Sequence, residues 1–325
     1  MTRAVFLSAS GDPFISLLAI KLWQERWRDE VDAFYICLNN HAGVPIDVIE
    51  EFISRVIKDP KIHLIYHPRG IGNGMPITEM TLIAKEDLVT LLEDDGFIFS
   101  SGIVNECFQR IEKDQCDAVG SPRGSCGMEI WEAAKKKYNL DYSGYGDVGP
   151  NFWPNFFFCK RSDLLRTDMN FASKTWQAGE YSKELDHTFS EINHGDTFVW
   201  GSTQLRHLGV RFSNVPQYHA NPFDIDHAGN YTNLFDGKAR WVHGGSLSAG
   251  WGGYLSGQIP DTSNDSAKQE IESRVAFWMI ASVTSGFEEF KKQYNNGIIE
   301  LINNAKLDSE RINKKVQMYK NLMKI

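Results

Sequence analysis

The strongest constraint on the fold is an alternation in the first 95 residues between short apolar runs and amphipathic ones. The apolar runs are Ala4–Ser10, Ala33–Leu38, Ile62–His67 and Leu88–Leu92. Each is short and ends in polar or Gly residues, as buried strands do. Between them lie helical patterns: Phe14 to Trp27, with Phe14, Leu17, Leu18 and Leu22 near period 3.6, then Ile46–Ile57, then Ile77–Lys85. Strands that alternate with helices imply a parallel sheet with helices on both faces. The predicted fold is therefore α/β.

Beyond this region the pattern predicts helices at 103–112, Glu129–Tyr138 and Thr197–Leu208. It predicts strands at Ala118–Gly120 and Phe152–Cys159. Residues 210–257 are rich in Gly, Asn, His and aromatics with little periodicity, which predicts long functional loops. Residues 268–325 are helical in pattern. The expected organisation is a catalytic domain at 1–260, divided into a nucleotide half (1–120) and an acceptor half (121–260), followed by a helical extension at 261–325.

With 42% hydrophobic and 23% charged residues, the chain is neither disordered nor a disulfide-stapled mini-protein. No apolar run approaches the length of a membrane span. The start MTRAVFLSAS meets Gly11, Asp12 and Pro13, so it reads as a first strand and not as a secretion signal. Five cysteines without a CxxC pair suggest free thiols and a cytoplasmic setting. Charge is unevenly spread. Residues 291–325 hold seven Lys and one Arg against three acids, net +5, which leaves −13 on 1–290. An acidic body argues against a large nucleic-acid footprint.

Ligands of such sheets bind beyond the carboxyl ends of the strands. Four polar segments lie at predicted strand ends: Ser8–Asp12, Asn39–Asn40, His67–Gly74 and Glu93–Asp95. Glu93-Asp94-Asp95 is the sharpest. Three acids after a buried strand are costly unless a cation neutralises them, and a hard divalent ion with oxygen ligands does so. The bland alternative is a solvated turn. His194-Gly195-Asp196 precedes a predicted helix, so Asp196 is either its N-cap or a general base. His243, between an aromatic strand-like piece and a Gly pair, is a metal ligand, a phosphate contact or a satisfied polar residue. Six of nine histidines fall in 187–243, yet no HExxH-type spacing appears, so a histidine-rich zinc site is not supported. The aromatics Trp241, Trp251 and Tyr254 offer flat faces to a sugar, or else pack under loops. The loop Arg69–Gly74 lacks the GxGxxG order.

Taken in order, these pieces resemble the family 2 glycosyltransferases and their relatives with the Rossmann-like GT-A fold, over about residues 3–250. The matching pieces are the VFLSAS strand, Glu93-Asp94-Asp95 at the DxD position, Phe156–Ser162, and His194-Gly195-Asp196 followed by Gln204–Gly209. His243 is similar to the family's late histidine. Two positions depart from the pattern: Glu93 replaces the first Asp of the motif, and Gly195 stands where an acid usually precedes the base.

The resemblance implies a nucleotide-diphosphate sugar across the strand ends, a UDP-sugar favoured. Ser8, Ser10, Asp12, Asn39, Arg69 and Asp94 would bind it. Mn²⁺ or Mg²⁺ would be held by Asp95 and His243. Asp196 would deprotonate the acceptor hydroxyl, inverting the anomeric centre, and Trp241, Trp251 and Tyr254 would line the acceptor site. The acceptor stays open among a glycan, a lipid-linked sugar, a protein side chain and a hydroxylated DNA base, and so does the oligomeric state. The competing readings are a sugar nucleotidyltransferase and a non-catalytic sugar-binding protein. In the basic tail, Ile312, Val316, Tyr319 and Met323 form a narrow apolar stripe, which predicts a helix docked on the acidic body and not on lipid.

Overall fold

The computed structural model describes residues 1–10, 13–39, 46–72, 74–120, 126–140, 154–215, 217–218, 231–235, 238–243, 265–286 and 288–325. The predicted alternation is present as β1 (Arg3–Ser10), α1 (Pro13–Arg26), β2 (Ala33–Asn39), α2 (Ile46–Val56), β3 (Ile62–His67), α3 (Met75–Ile83) and β4 (Leu88–Glu93). β5 (Gly96–Ile98), α4 (Ile103–Glu112), β6 (Ala118–Gly120), α5 (Met128–Tyr138), β7 (Phe157–Lys160) and α6 (Arg161–Leu164) follow.

The central sheet has the order β12-β6-β7-β4-β1-β2-β3, where β12 is Phe212–Asn214. β1, β2, β3 and β4 are mutually parallel. β7, predicted as a strand, enters antiparallel between β4 and β6. The fold is thus an α/β, mostly parallel sheet with flanking helices and a helical C-terminal segment. Strand alternation divides its core in two. Val5, Leu7 and Ala9 face α1 and the C-terminal helices, whereas Ala4, Phe6, Tyr35 and Cys37 face α3.

The described residues within 210–257 differ from the expected loops. Besides β12 they contain β13 (Gln217–Tyr218), β14 (Tyr231–Phe235) and β15 (Lys238–His243), numbered after the short strands β8 (Lys174–Trp176), β9 (Tyr181–Ser182), β10 (His187–Thr188) and β11 (Asn193–Gly195). A second sheet, β13-β14-β15-β5, is antiparallel. Its strands are held by pairing to the distant β5, a tertiary partner that local periodicity does not reveal.

α7 spans Val199–His207. The C-terminal segment is three helices: α8 (Asp265–Ser285), α9 (Glu288–Asn304) and α10 (Ser309–Met323). The apolar stripe of α10 is buried, as expected, and Tyr319 stacks on Phe277 of α8 at 4.2 Å. Phe277 in turn stacks on Phe97 of β5 at 5.2 Å. The helices therefore share one core with the sheet and support the strand that follows the acidic triplet. Lys315 is buried beside this stripe and donates to Ser273 Oγ at 2.6 Å and to the Gln269 carbonyl at 3.3 Å. No helix among the described residues is long and apolar enough to cross a membrane.

Candidate active site

β4 is an inner strand of Leu, Val and Thr, flanked by β1 and β7, so its carboxyl end is fixed on both sides. The ladder continues one step beyond it, where the Asp94 amide donates to the Ser8 carbonyl at 3.1 Å. Asp94 and Asp95 then form a tight turn into β5. Gly96 is required there, because a Cβ would stand 2.0 Å from Asn155 Oδ1. Asn155 is itself fully buried, and its Nδ2 donates to Asp95 Oδ1 at 3.4 Å.

β15 returns antiparallel to β5 in a register that sets His243 opposite Gly96. That register brings His243 Nε2 to 3.1 Å from Asp95 Oδ1 and 4.0 Å from Glu93 Oε2. Asp95 follows the end of β4, as expected, and is only 4% exposed, as is His243. One donor atom from each of Glu93, Asp95 and His243 lies within 4.8 Å of the other two. Glu93 was not among the expected ligands. Glu93 ends β4 and Asp95 lies in the turn that follows, so strand alternation does not relate them, and their closeness is the only signal along the chain.

The Glu93 carboxyl is held well above the usual carboxylate range, first by burial and then by the charges of Asp95, Asp196 and Asp94. A donor set of two carboxylates and one imidazole fits a hard or borderline divalent cation such as Mn²⁺ or Mg²⁺. The residues present therefore suit such an ion.

The charge of Asp196 acts on Glu93 despite its distance in sequence. Asp196 lies in the turn between β11 and α7, half-buried, and its Oδ1 accepts from the Thr197 amide at 2.7 Å. It is not the helix N-cap. The residue before α7 is Phe198, with φ of +68°, and no side chain caps the helix. A left-handed Phe is uncommon, and such positions gather where a turn must hold a functional group. The conformation is held by the Phe198 amide donating to the Phe171 carbonyl at 2.8 Å. The ring also packs on Phe157 at 4.9 Å and Phe171 at 5.5 Å. Gly195 is glycine for steric reasons. A Cβ would lie 2.8 Å from Val199 and 3.0 Å from Trp176, so no acid fits at that position.

The remaining expected residues divide. Ser8, half-buried on β1, pairs with Cys37 on one side and Glu93 on the other, next to the cluster. Ser10 ends β1 opposite Asn39. Asn39 is buried, and its Oδ1 has no hydrogen-bond partner among the described residues. Arg69 is exposed on the loop after β3. Trp241 is corrected: its ring is fully buried and stacks on Phe156 at 4.9 Å, so it is core and offers no face to an acceptor. The alternation of β15 explains this, since Trp241 and His243 share a side that packs on the main body. Asp12, Trp251 and Tyr254 lie outside the described residues.

No protein-family model matches the chain, and no curated protein matches it. Solved structures that align with it include a mannosyltransferase from Pyrobaculum calidifontis in complex with GDP-Man and Mn²⁺. That alignment has 12% identity and a TM-score of 0.44, covering 66% of this chain and 54% of the other. The chain thus spans about half the length of that enzyme. TarS 1-349 of S. aureus aligns at 12% identity and a TM-score of 0.41, covering 97% and 83% of the two chains. GalNAc-T7 with UDP, GalNAc and Mn²⁺ aligns at 12% identity and a TM-score of 0.37, covering 52% and 37%. Scores of this size carry no functional argument, and the fold rests on the strand order above.

Proposed function

We propose that the protein is a metal-dependent glycosyltransferase. It moves a sugar from a nucleoside-diphosphate sugar to an acceptor hydroxyl, with inversion at the anomeric carbon. The observation that carries this reading is the convergence of Glu93, Asp95 and His243 near Asp196, at the carboxyl end of β4. Open α/β sheets bind ligands there. Two carboxylates and an imidazole converging there suit a divalent cation and, through the cation, a diphosphate.

Asp95, His243 and Glu93 would hold Mn²⁺ or Mg²⁺, which supplies charge neutralisation for the departing diphosphate. The other steps belong to the chain. Asn155 and His243 orient the Asp95 carboxylate. Ser8, Ser10, Asn39, Arg69 and Asp94 are assigned to the nucleotide sugar, within residues 1–120. Asp196 has one carboxylate oxygen held by the Thr197 amide. The other takes the proton of the acceptor hydroxyl as its oxygen attacks the anomeric carbon opposite the leaving diphosphate. No covalent enzyme intermediate is required. The acceptor would enter over residues 121–260. The setting is cytoplasmic, and a UDP-sugar is the first donor to try.

The test is incubation with a panel of UDP- and GDP-sugars in Mn²⁺, in Mg²⁺ and in chelator, following release of free nucleoside diphosphate. Release that needs the metal supports the reading. No release from any donor, together with no metal-dependent nucleotide binding by calorimetry, overturns it.

A further inference from the structure

A second cluster of ligand-bearing side chains stands on the same sheet. In the central register Glu93 of β4 pairs with Ser8 of β1, and Ser8 pairs with Cys37 of β2. Cys37 is therefore two strands from the acidic site, about 10 Å at the usual strand spacing. It is fully buried on the face covered by α3. His67 is the last residue of β3, and Glu79 projects from α3. His67 Nε2 lies 2.6 Å from Glu79 Oε2, and Cys37 Sγ lies 4.0 Å from the same oxygen. One donor atom from each of the three falls within 4.8 Å of the other two.

We propose that Cys37 Sγ, His67 Nε2 and Glu79 Oε2 form a site for a borderline transition-metal ion of the Zn²⁺ class, separate from the acidic site. The donor set is one sulfur, one imidazole and one carboxylate. Sulfur and imidazole select Zn²⁺-like ions over Mg²⁺ or Ca²⁺, which prefer oxygen. Tetrahedral zinc with bonds of about 2.3 Å to sulfur and about 2.0 Å to nitrogen and oxygen needs S···O near ~3.5 Å and N···O near ~3.3 Å. Both are reached if the Glu79 carboxylate shifts by well under an ångström from the imidazole toward the thiol. Glu79 can make that shift, because its side chain is 35% exposed on the helix surface. The exposure of His67 and Glu79 also provides an entry path. Three protein ligands leave a fourth position to water or another donor. Asn39 shares the Cys37 side of β2 and pairs in register with His67, so its buried Oδ1 is the nearest candidate on the strand.

The experiment titrates the metal-stripped full chain with Co²⁺, then with Zn²⁺. With Mg²⁺ in excess to occupy the acidic site, the expected result is a near-ultraviolet thiolate-to-cobalt charge-transfer band that corresponds to one Co²⁺ per chain and is lost on addition of Zn²⁺. The acidic site has no sulfur and cannot produce that band. Cys37→Ala should remove it. Glu79→Gln should weaken Co²⁺ binding by more than about tenfold, the loss already expected from an outer-shell partner alone. If Cys37→Ala does not fold, the affinity of Glu79→Gln decides. No band in the wild type, a band that survives Cys37→Ala, or an unchanged affinity in Glu79→Gln overturns the proposal.

Discussion

Around Glu93, burial and the charges of Asp95, Asp196 and Asp94 hold a carboxyl above its usual range, with the His243 imidazole 4.0 Å away. Around Glu272, by contrast, a buried carboxylate faces a guanidinium. Glu272 is fully buried on α8 and accepts from Arg311 Nη2 and from the Asp308 amide, both at 3.0 Å. Close by, Lys315 donates to Ser273 and Gln269. The two groups are linked through the stacked rings of Phe97, Phe277 and Tyr319. A buried charge that is paired and hydrogen-bonded belongs to the scaffold, and removing its partner is costly. Like charges gathered so that a carboxyl is held above its usual range are the mark of a site that binds something. The comparison therefore separates a cluster that holds the protein together from one that the protein holds together.

The largest expected effect is at Asp95. Asp95→Asn should abolish metal-dependent donor binding, read by calorimetry of a UDP-sugar with and without Mn²⁺. Its melting temperature should stay level or rise, because one like charge is removed from a crowded site. Equal donor affinity in mutant and wild type would take Asp95 out of the metal site. A large fall in melting temperature would erase the contrast with Glu272.

Next comes Asp196. Asp196→Asn should lower turnover by about 10²–10⁴, the usual weight of general base catalysis, with donor affinity nearly unchanged. Steady-state rates beside donor titrations check this. Full activity in the mutant would leave Asp196 a turn residue.

Glu272→Ala should act on stability and not on chemistry. It removes the buried acceptor of the Asp308 amide and of Arg311, while the Arg311 guanidinium keeps Asp265 at 3.3 Å, so a loss of about 1–3 kcal/mol is the expected scale. Denaturant unfolding measures it. An unchanged midpoint would mean that the C-terminal helices do not depend on this pair.

The smallest effect is at the surface. Arg28 Nη2 donates to Asp59 Oδ1 at 2.8 Å, and this bond holds the Asp59 carboxyl down at about 2. The folded-state value is depressed, so the pair's contribution is present above the ordinary carboxylate range. It is lost as pH falls from about 4 towards 2. Arg28→Ala should lower the melting temperature modestly at neutral pH and much less near pH 2. A deficit undiminished at pH 2 would assign the effect to the lost contact of the Arg28 guanidinium with the Trp23 ring.

The strand–helix alternation over the first 95 residues was legible because each element is defined by its own periodicity. Burial on two faces makes β1, β2 and β4 apolar throughout, and the polar residues begin where the strands leave the sheet. The acidic triplet could therefore be assigned to a strand end, and the docking of α10 could be read from its stripe. What the tertiary structure decided is everything that depends on partners remote in sequence. The β15–β5 register alone sets His243 beside Asp95 and turns Trp241 into the core. The left-handed Phe198 moves the start of α7 past Asp196, which removes the capping role that local sequence favoured. Glu93 joined the site, and Cys37 met His67 and Glu79, because strand order in space differs from order along the chain. Local patterns encode which side a residue faces. Only the assembled sheet fixes what stands across from it.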